Sequence, residues 1–488
     1  MPEMSHCAEN LPSRLLPALD LTRALERIPI RWNSDRRSSF LFGRIFCDEP
    51  VSTSSENACF LFGRIFCDEP VSTSSENALG PRSHKTSAMP FTEARDLGFG
   101  ITIRHHATIA EINERAWNRL FPDTAEDWGY FRGIELSGST QFEFSAVAAY
   151  DGDRLIAAAP VFKLDYRLDM TLPPAMQKVG DWLARYAPRL VKVPVLGLGS
   201  PMTEECPIGF DRSLDAGGRK AVLNALIASL QAHAKANGIK ILAFKDVTDS
   251  DAQWAGASLS AGGFAAMPSL PLATLDLPYE GFEDYLASLP GKQRTDIRKK
   301  MRQASGIEIE LRDNVDDVYE EILTLYRATR ENRKKSYDGF DEVPEDYFRE
   351  VMSKSGGKAR VLLARLGGKL VSFNFFLVEK DRVIGKFVGM DYEVARAHNL
   401  YFFNWMTIVK FCIDNGVATL QTGQTTYTVK VRLGCKLKRS WVYVKYNGAI
   451  LGPLVRRLAP RISFAEADPD LAQLGDKAVY LSQAGAVQ

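Results

Sequence analysis

The sequence is poor in the residues that hold metals and disulfides. Its 488 residues include six histidines and seven cysteines. No Cys-x-x-Cys pair and no Cys/His cluster has the spacing of a metal site. Four of the cysteines lie before residue 70, which leaves few for a disulfide framework in the rest of the chain. We therefore expect reduced thiols, no tightly bound cofactor and a cytoplasmic setting.

Long hydrophobic runs and an excess of one charge are also absent. No stretch of about 18 apolar residues occurs, so no membrane span is predicted, and the N-terminus lacks the apolar core of a secretory signal. The formal net charge is +1, which argues against a general DNA-binding protein. The GxSxG elbow of serine hydrolases and the Walker loop of nucleotide triphosphatases are both missing.

Residues 39–78 contain a tandem copy of twenty residues. SFLFGRIFCDEPVSTSSENA is followed by CFLFGRIFCDEPVSTSSENA, and the two copies differ only at Ser39 and Cys59. Stacked repeat proteins need about three or more units to bury a shared core, so two copies do not form such an array. We interpret residues 1–88 as a disordered or mis-started extension, with Met89 as a plausible start.

From residue 98 the chain repeats one order of elements. SAVAAYDGDRLIAAAPVF and LLARLGGKLVSFNFFLV each predict a strand, a glycine turn and a second strand. LNALIASLQAHAKANG and YFFNWMTIVKFCIDNG each predict a helix that ends at glycine and leads into a buried strand. This pattern predicts an α/β (α+β) protein with two tandem domains of mixed sheets flanked by helices, at 89–280 and 281–456. Residues 457–488 are expected to form a tail.

The stretch from Gly416 to Leu437 is the strongest candidate for a site. It predicts a buried strand that breaks at Thr422-Gly423, and the polar residues Gln424, Tyr427 and Lys430 follow three apart before a second β-branched run. A glycine suits a position where the backbone separates or approaches a ligand closely. We interpret the stretch as the floor of an active site. The alternative is a strand end with solvated polar groups.

Four segments in order resemble the FemAB-like branch of the GNAT-fold acyltransferases: KQRTDIRKKMRQA, LLARLGGKLVSFNFFLV, GMDYEVARAHNLYFFNW and LQTGQTTYTVKVRLG. The resemblance implies two tandem GNAT-like domains and transfer of an acyl or aminoacyl group from an activated ester to an amine. A narrower resemblance is to the bacterial ceramide synthases, which N-acylate a sphingoid base with a fatty acyl thioester. The Fem peptidyltransferases, which use aminoacyl-tRNA in cell-wall synthesis, are the other branch.

This chemistry suggests roles for the polar groups after the strand. Tyr427 is a candidate acid for the leaving thiolate, and Gln424 is a candidate donor to the oxyanion. Lys430 would hold a carboxylate or phosphate. For each residue a structural role is the alternative: Tyr427 would pack in the core with a bonded hydroxyl, and Lys430 would be solvated.

The segment GMDYEVARAHN supplies the candidate bases, Asp391 and His398. Arg396 and Asn399 are candidates for holding phosphate at a helix N-terminus. The phosphate loop of GNAT proteins, Gln/Arg-x-x-Gly-x-Gly/Ala, would begin at Arg396, but both of its glycines are missing here. Asp391 would otherwise close the turn, and a lone histidine would otherwise be structural.

Basic side chains suggest where an anionic partner would bind. Arg294, Arg298 and Arg302 are four residues apart and would share one helix face, able to meet the phosphates of a donor or an anionic membrane. A solvated basic face is the alternative. The aromatic and basic insertion at 163–193 would either lie in a membrane interface or pack on its own domain.

Three functions remain open at this stage. The first is an N-acyltransferase that uses acyl-CoA or acyl carrier protein as co-substrate and a lipid-like amine as acceptor, at the inner-membrane surface or free in the cytoplasm. The second is a tRNA-dependent peptidyltransferase, the only case in which tRNA would be a partner. The third is a non-catalytic protein that binds an envelope ligand.

Overall fold

The computed structural model describes residues 100–167, 192–332, 343–449, 451–461 and 468–474. The tandem copy in residues 1–88 and the aromatic-basic part of the insertion, 168–191, lie outside the described residues. What we expected of those two segments therefore stays a prediction.

Two mixed sheets form the framework, as the sequence pattern predicted. The strand order is β1-β2-β3-β4-β6-β15-β7 in the first sheet, with β5 beside β3, and β14-β8-β13-β12-β11-β10-β9 in the second. The strands of the first sheet are β1 (Ile101–His106), β2 (Glu143–Asp151), β3 (Arg154–Arg167), β4 (Lys192–Leu198), β5 (Gly209–Phe210), β6 (Ile241–Thr248), β7 (Ala265–Pro268) and β15 (Ser440–Tyr446). Those of the second are β8 (Leu272–Asp276), β9 (Ile307–Arg312), β10 (Ala359–Leu366), β11 (Lys369–Val378), β12 (Arg382–Met390), β13 (Thr419–Thr422) and β14 (Lys436–Lys438).

Helices accompany both sheets. They are α1 (Glu114–Leu120), α2 (Trp128–Leu136), α3 (Ala216–Ala236), α4 (Asp249–Ala261), α5 (Phe282–Ser288), α6 (Gly291–Gln303), α7 (Tyr319–Glu331), α8 (Tyr347–Lys354), α9 (Tyr392–His398), α10 (Leu400–Asp414), α11 (Tyr427–Arg432), α12 (Leu451–Leu458) and α13 (Pro469–Ala472). Several of them begin at side-chain caps: for example, Asp127 accepts from Tyr130 N at the start of α2, and Asp215 accepts from Gly218 N at the start of α3. These caps satisfy backbone donors that have no partner within the helix.

The core explains the long apolar run of β11. This strand is buried along nearly its whole length, and Phe373, Phe375 and Phe376 are fully buried. Phe373 and Phe375 pack in the cluster that contains α7 and α8, whereas Phe376 packs in the cluster that contains α10. A strand covered on both faces has no need of polar alternation, so its sequence reads as continuous apolar residues.

The two sheets exchange strands along the chain. β8 precedes the predicted boundary at residue 280 but pairs with β13 and β14 in the second sheet. β15 comes from the second half but lies between β6 and β7 in the first sheet. The segment PLATLDL, although it precedes residue 280, therefore belongs to the second sheet. Each half completes the sheet of the other, and the division at residue 280 stays a prediction.

Two helices lie where the sequence analysis named none. The β-branched run after Gly423 forms the helix α11, which packs Tyr427 and Val429 into the core. The helix α12 covers Leu451–Leu458 and so reaches the start of the expected tail at 457–488, and its Val455 is buried. Ala459, just after α12, packs with Ala265 and Met267 of β7.

Candidate active site at the divergence of two parallel strands

The candidate site begins where β12 and β13 part. Their parallel pairing covers only Arg382–Ile384 and Thr419–Gln421, while β12 continues to Met390. On its other edge β12 pairs with β11, and there Phe375 faces Phe387 while Phe376 faces Gly385, which leaves Lys386 as the extra residue of a β-bulge. Within the described residues, the separation leaves one edge of β12 without a strand partner beyond Ile384.

Lys386 is a buried cation held by the first half of the chain. Its side chain is 3% exposed, and its ammonium group pairs with the Glu126 carboxylate, which is 7% exposed. Lys386 Nζ also donates to Met202 O at 3.0 Å. Burial lowers the pKa of Lys386, but Glu126, Tyr347 and Glu204 more than offset this effect, so that the pKa is raised overall. Lys386 is therefore charged at neutral pH.

Glu204 supplies a second carboxyl group beside Lys386. Burial raises its pKa above the ordinary value, and Glu126 acts in the same direction, whereas Lys386, Gln421 and Lys430 lower it. A methyl group in place of a hydrogen at Gly423 Cα would lie 3.3 Å from Glu204 Oε1, so the carboxyl group sits directly against the backbone at the end of β13. A carboxyl group with a raised pKa beside fixed cations is a common feature of acid–base sites.

A hydrogen-bond chain extends from Glu204 along the strand ends. Gln421 Nε2 donates to Glu204 Oε2 at 3.1 Å, and Arg382 Nη1 donates to Gln421 Oε1 at 2.8 Å. The same guanidinium binds Glu205 at 2.9 Å and Glu379 at 2.7 Å. Because Gln421 has both amide atoms engaged, its orientation is fixed, and it fixes the Glu204 carboxyl in turn.

Sequence reasoning missed this cluster. Glu204 and Glu205 lie in the loop after β4, and Glu126 lies just before α2, so all three are far in sequence from Lys386 and Gln421. The signal available in the sequence was polar or charged residues in otherwise apolar strands, namely Lys386 in VIGKFVGM and Gln421 in ATLQTG. Such residues need a partner when buried.

The predicted residues Gln424 and Tyr427 lie beside this cluster but bind the backbone. Gln424 Nε2 donates to Leu270 O at 2.9 Å, and Tyr427 Oη donates to Pro271 O at 3.0 Å. Tyr427 is fully buried. Both side chains thus hold the segment that leads from β7 in one sheet to β8 in the other. This is the structural alternative for Tyr427, and its role as an acid stays a prediction.

Lys430 is nearer to the cluster than either of them. Its side chain is buried and its ammonium group donates to the Gly423 carbonyl. It contributes to lowering the Glu204 pKa, so the two groups interact. The alternative of a solvated Lys430 was wrong, since the turn into α11 brings its side chain back to the end of β13. Its predicted role in holding a carboxylate or phosphate stays a prediction.

In the part of the chain that the structure describes, Asp391, His398 and Asn399 bind groups other than Gln424 and Tyr427. Asp391 caps α9 by accepting from Glu393 N and pairs with Lys369 at 2.8 Å, which lowers its pKa. His398 Nδ1 is 3.1 Å from Gln303 O, and Asn399 donates to the Gln303 side chain at 2.7 Å. As placed here, Asp391 closes the turn, and its role as a base stays a prediction.

Two of the basic residues of α6 bind groups of the neighbouring helix α5. Arg294 Nη1 donates to Ala287 O at 3.1 Å, and Arg298 pairs with Glu283 at 2.6 Å. Both bonds tie α6 to α5 across the short connection between them, residues 289–290. Arg396 lies in the last turn of α9, on the short connection to α10. The roles of these arginines toward phosphate stay predictions.

The fold and the family of the chain can now be stated. The chain forms an α/β structure of two mixed sheets flanked by helices. Residues 108–444 match the FemAB-like family, which is described as acting in peptidoglycan biosynthesis/recognition. The chain belongs to this family.

Individual relatives are distant. The chain is 24% identical over 323 residues to the putative 8-amino-7-oxononanoate synthase 2 of Mycobacterium tuberculosis, and the match covers 64% of this chain. It spans only 40% of the length of that protein. A match over this share of the relative does not show that the chain has the relative's activity.

Solved structures with a related fold have little sequence in common with the chain. The C-terminal domain of a putative lysylphosphatidylglycerol synthetase from Agrobacterium fabrum has a TM-score of 0.45 at 13% identity, covering 71% of this chain and 96% of that one. FemX has a TM-score of 0.45 at 14% identity, covering 67% and 93%. A tandem GNAT protein from the clavulanic acid pathway has a TM-score of 0.42 at 15% identity, covering 71% and 99%.

A search of the described helices for a membrane span found none that is long and apolar enough. Within the same residues, no group of three or more His, Cys, Asp and Glu side chains is arranged to hold a metal ion.

Proposed function

We propose that the protein is an N-acyltransferase that moves an acyl group from an acyl thioester to an amine at the point where β12 and β13 diverge. The observation that carries this proposal is the Glu204 carboxyl group, with its raised pKa, held against the end of β13 by Gln421 and flanked by Lys386 and Lys430. Membership of the FemAB-like family is consistent with it.

The arrangement suits the proton transfers of the reaction. The amine nitrogen attacks the thioester carbonyl carbon, the C–N bond forms and the C–S bond breaks. Glu204 accepts the proton that the amine loses, and the thiolate leaves and takes up a proton. A raised pKa makes Glu204 a stronger base than an exposed glutamate. The developing oxyanion would be met by the free edge of β12 or by the ammonium groups.

The donor would be acyl-CoA or an acylated carrier protein, whose phosphates would bind near the start of α10. Asn399 has the left-handed conformation at φ 49°. It occupies the position of the first missing glycine of the phosphate loop. Asparagine tolerates this conformation better than other residues with a side chain, so the loop keeps its backbone shape without the glycine. Arg396 and the free amide groups at the start of α10 would then face the anion.

The acceptor would be lipid-like, with a sphingoid base as the narrow candidate. Leu451 and Leu454 of α12 are 46% and 43% exposed and are three residues apart, and the exposed Arg456 and Arg457 follow them. Exposed leucines beside arginines suit an anionic membrane surface, from which a lipid amine would be taken. The protein would then be cytoplasmic and peripheral to the inner membrane.

The direct test incubates the purified protein with a long-chain acyl-CoA or acyl carrier protein and with sphinganine, and follows the amide product by mass spectrometry. Glu204→Gln should lower turnover by about 10²- to 10⁴-fold, the usual contribution of a general base. Glu308→Gln, an exposed glutamate on β9, is the matched control and should keep full turnover. Full activity in Glu204→Gln would remove the assigned base.

The family description favours one second candidate, a Fem-type peptidyltransferase. Under it the donor would be an aminoacyl-tRNA and the acceptor an amine of a cell-wall precursor. Replacing the donor and acceptor in the same assay separates the two candidates, because each predicts product from one pair only. Binding of a donor without product from either pair would indicate a protein that recognises an envelope ligand without catalysis.

A further inference from the structure

A cleft lies in the first half of the chain, and none of its lining residues belongs to the site at the β12–β13 divergence. Its volume is about 390 Å³, within the size range of sites for small molecules. It lies at the outer edge of the first sheet, between β1, the start of α1 and the hairpin of β2 and β3. Ile112, Ala116 and Leu155 form its apolar part. The remaining lining is charged or polar.

A hydrogen-bonded chain of three side chains forms one wall. His106 Nδ1 is 3.0 Å from Glu111 Oε2, and His106 Nε2 is 3.1 Å from Tyr150 Oη. His106 and Tyr150 are both at most 9% exposed. With the carboxylate accepting from Nδ1–H, Nε2 accepts from the tyrosine hydroxyl, so the ring of Tyr150 is fixed. The Arg104 guanidinium lies over that ring, 4.6 Å from its centroid.

The opposite wall carries two further arginines that share one carboxylate. Arg154 Nη2 binds Asp211 Oδ1 at 2.8 Å, and Arg119 Nε is 3.6 Å from Asp211 Oδ2. Both arginine side chains remain more than half exposed. One carboxylate cannot neutralise two guanidinium groups. Arg104 makes no ion pair within the described ranges, so its guanidinium group can bind an anion without losing an internal ion pair.

Two carboxylates that do not pair with these arginines also line the cleft. Glu111 lines the cleft with a carboxylate that already accepts from His106, and Asp153 lines it from the turn between β2 and β3. An anion with several charges would be repelled by these two groups, whereas a ligand with both signs of charge would satisfy them and the arginines together.

We propose that this cleft binds a small zwitterion, a molecule with a phosphate or carboxylate group and an amino group on a short aliphatic linker. Arg104, Arg119 and Arg154 take the anionic group, because a guanidinium group can donate two parallel hydrogen bonds to two oxygens of a phosphate or carboxylate. Glu111 and Asp153 take the amino group, and the apolar part takes the linker. The site is separate from the proposed transfer centre and does not depend on transfer activity.

Calorimetric titration of the full chain at low salt tests the site. The probes are O-phosphoethanolamine, inorganic phosphate, ethanolamine and β-alanine. O-phosphoethanolamine should bind at least about tenfold more tightly than phosphate or ethanolamine alone, a ratio that equals about 1.4 kcal/mol. β-Alanine tells whether a carboxylate replaces the phosphate. Competition by phosphatidylethanolamine vesicles tells whether the bound group belongs to a lipid or to a soluble molecule.

Two variants and one control locate the binding. Arg104→Gln removes a guanidinium that has no ion pair, and Tyr150→Phe removes the hydroxyl that links the ring to His106. The first should weaken O-phosphoethanolamine at least about tenfold, and the second by a smaller factor. Arg115→Gln, an exposed neighbour on α1 that does not line the cleft, should bind as the native chain does. Equal binding by Arg104→Gln, equal weakening by Arg115→Gln, or no preference for the zwitterion would each overturn the proposal.

Discussion

Gln421 Nε2 donates to Glu204 Oε2 at 3.1 Å and thereby joins the second sheet to a loop of the first half of the chain. The amide oxygen of Gln421 accepts from Arg382, so the amide cannot turn over without breaking a charged contact. A side chain that is 1% exposed and bonded at both ends holds the carboxyl group in one place. This contact places an acid–base group at the divergence of β12 and β13.

The pH dependence of transfer should report Glu204. Because its pKa is raised, the carboxylate form needed to accept a proton is lost at a higher pH than for an exposed glutamate, whose pKa is about 4.3. The rate constant kcat/KM should therefore rise with pH through the raised pKa of Glu204. Measurement from pH 5 to 9 in the native chain and in Glu204→Gln checks this. In Glu204→Gln the rise due to Glu204 should disappear, whereas the part of the pH profile that reports the acceptor amine should remain. If the rise at lower pH also remains in the variant, it belongs to another group.

Lys386 and Glu126 should be strongly coupled in stability. Lys386→Met leaves the Glu126 carboxylate buried without its cation and should lower the free energy of unfolding by about 3–5 kcal/mol. Glu126→Gln leaves the ammonium unpaired in the same way. The double variant should lose less than the sum of the two, because neither charge then remains. Urea denaturation of the four proteins gives the coupling, and simple additivity would show that the pair does not interact.

Tyr427→Phe distinguishes an anchoring role from a catalytic one. The hydroxyl donates to Pro271 O in a fully buried setting, so its removal should lower the free energy of unfolding by about 1–3 kcal/mol. If anchoring is its role, kcat should stay within a few-fold of the native value. Gln424→Ala should behave alike, since its amide binds the neighbouring carbonyl of Leu270. A large fall in kcat with an unchanged melting temperature would instead support the acid role predicted from the sequence.

Asn399 should tolerate glycine but not alanine. Its φ of 49° is left-handed, a conformation that costs a residue with a Cβ about 1–2 kcal/mol. Asn399→Gly should keep the stability and the KM for the acyl donor close to native values. Asn399→Ala should lower the melting temperature and raise that KM, because the turn between α9 and α10 is then strained. If the two variants have the same melting temperature and the same KM, donor binding does not depend on the backbone conformation at residue 399.

Membrane binding should depend on α12. Replacing Leu451 and Leu454 by Gln, or Arg456 and Arg457 by Gln, should reduce co-sedimentation with vesicles that contain anionic lipids. Leu311→Gln, at a leucine of β9 that is 38% exposed, is the control and should leave sedimentation unchanged. Sedimentation that does not depend on anionic lipid, or that survives both changes on α12, would contradict a membrane role for this helix.

The sequence by itself determined the fold class and several of the elements. The strand–glycine turn–strand pattern identified β2 with β3 and β10 with β11, and the glycine after each long helix located its end. These features depend on neighbours within a few residues, and periodicity records them directly. The resemblance carried by four segments also gave the FemAB-like family.

Only the tertiary structure decided which polar groups meet. Glu126, Glu204, Lys386 and Gln421 come from four separate segments, and the exchange of β8 and β15 between the sheets brings both halves around one centre. The tertiary structure also places the carbonyls of Leu270 and Pro271 where Gln424 and Tyr427 donate hydrogen bonds to them. Burial and the partner of each charge are long-range properties, and spacing along the chain does not contain them.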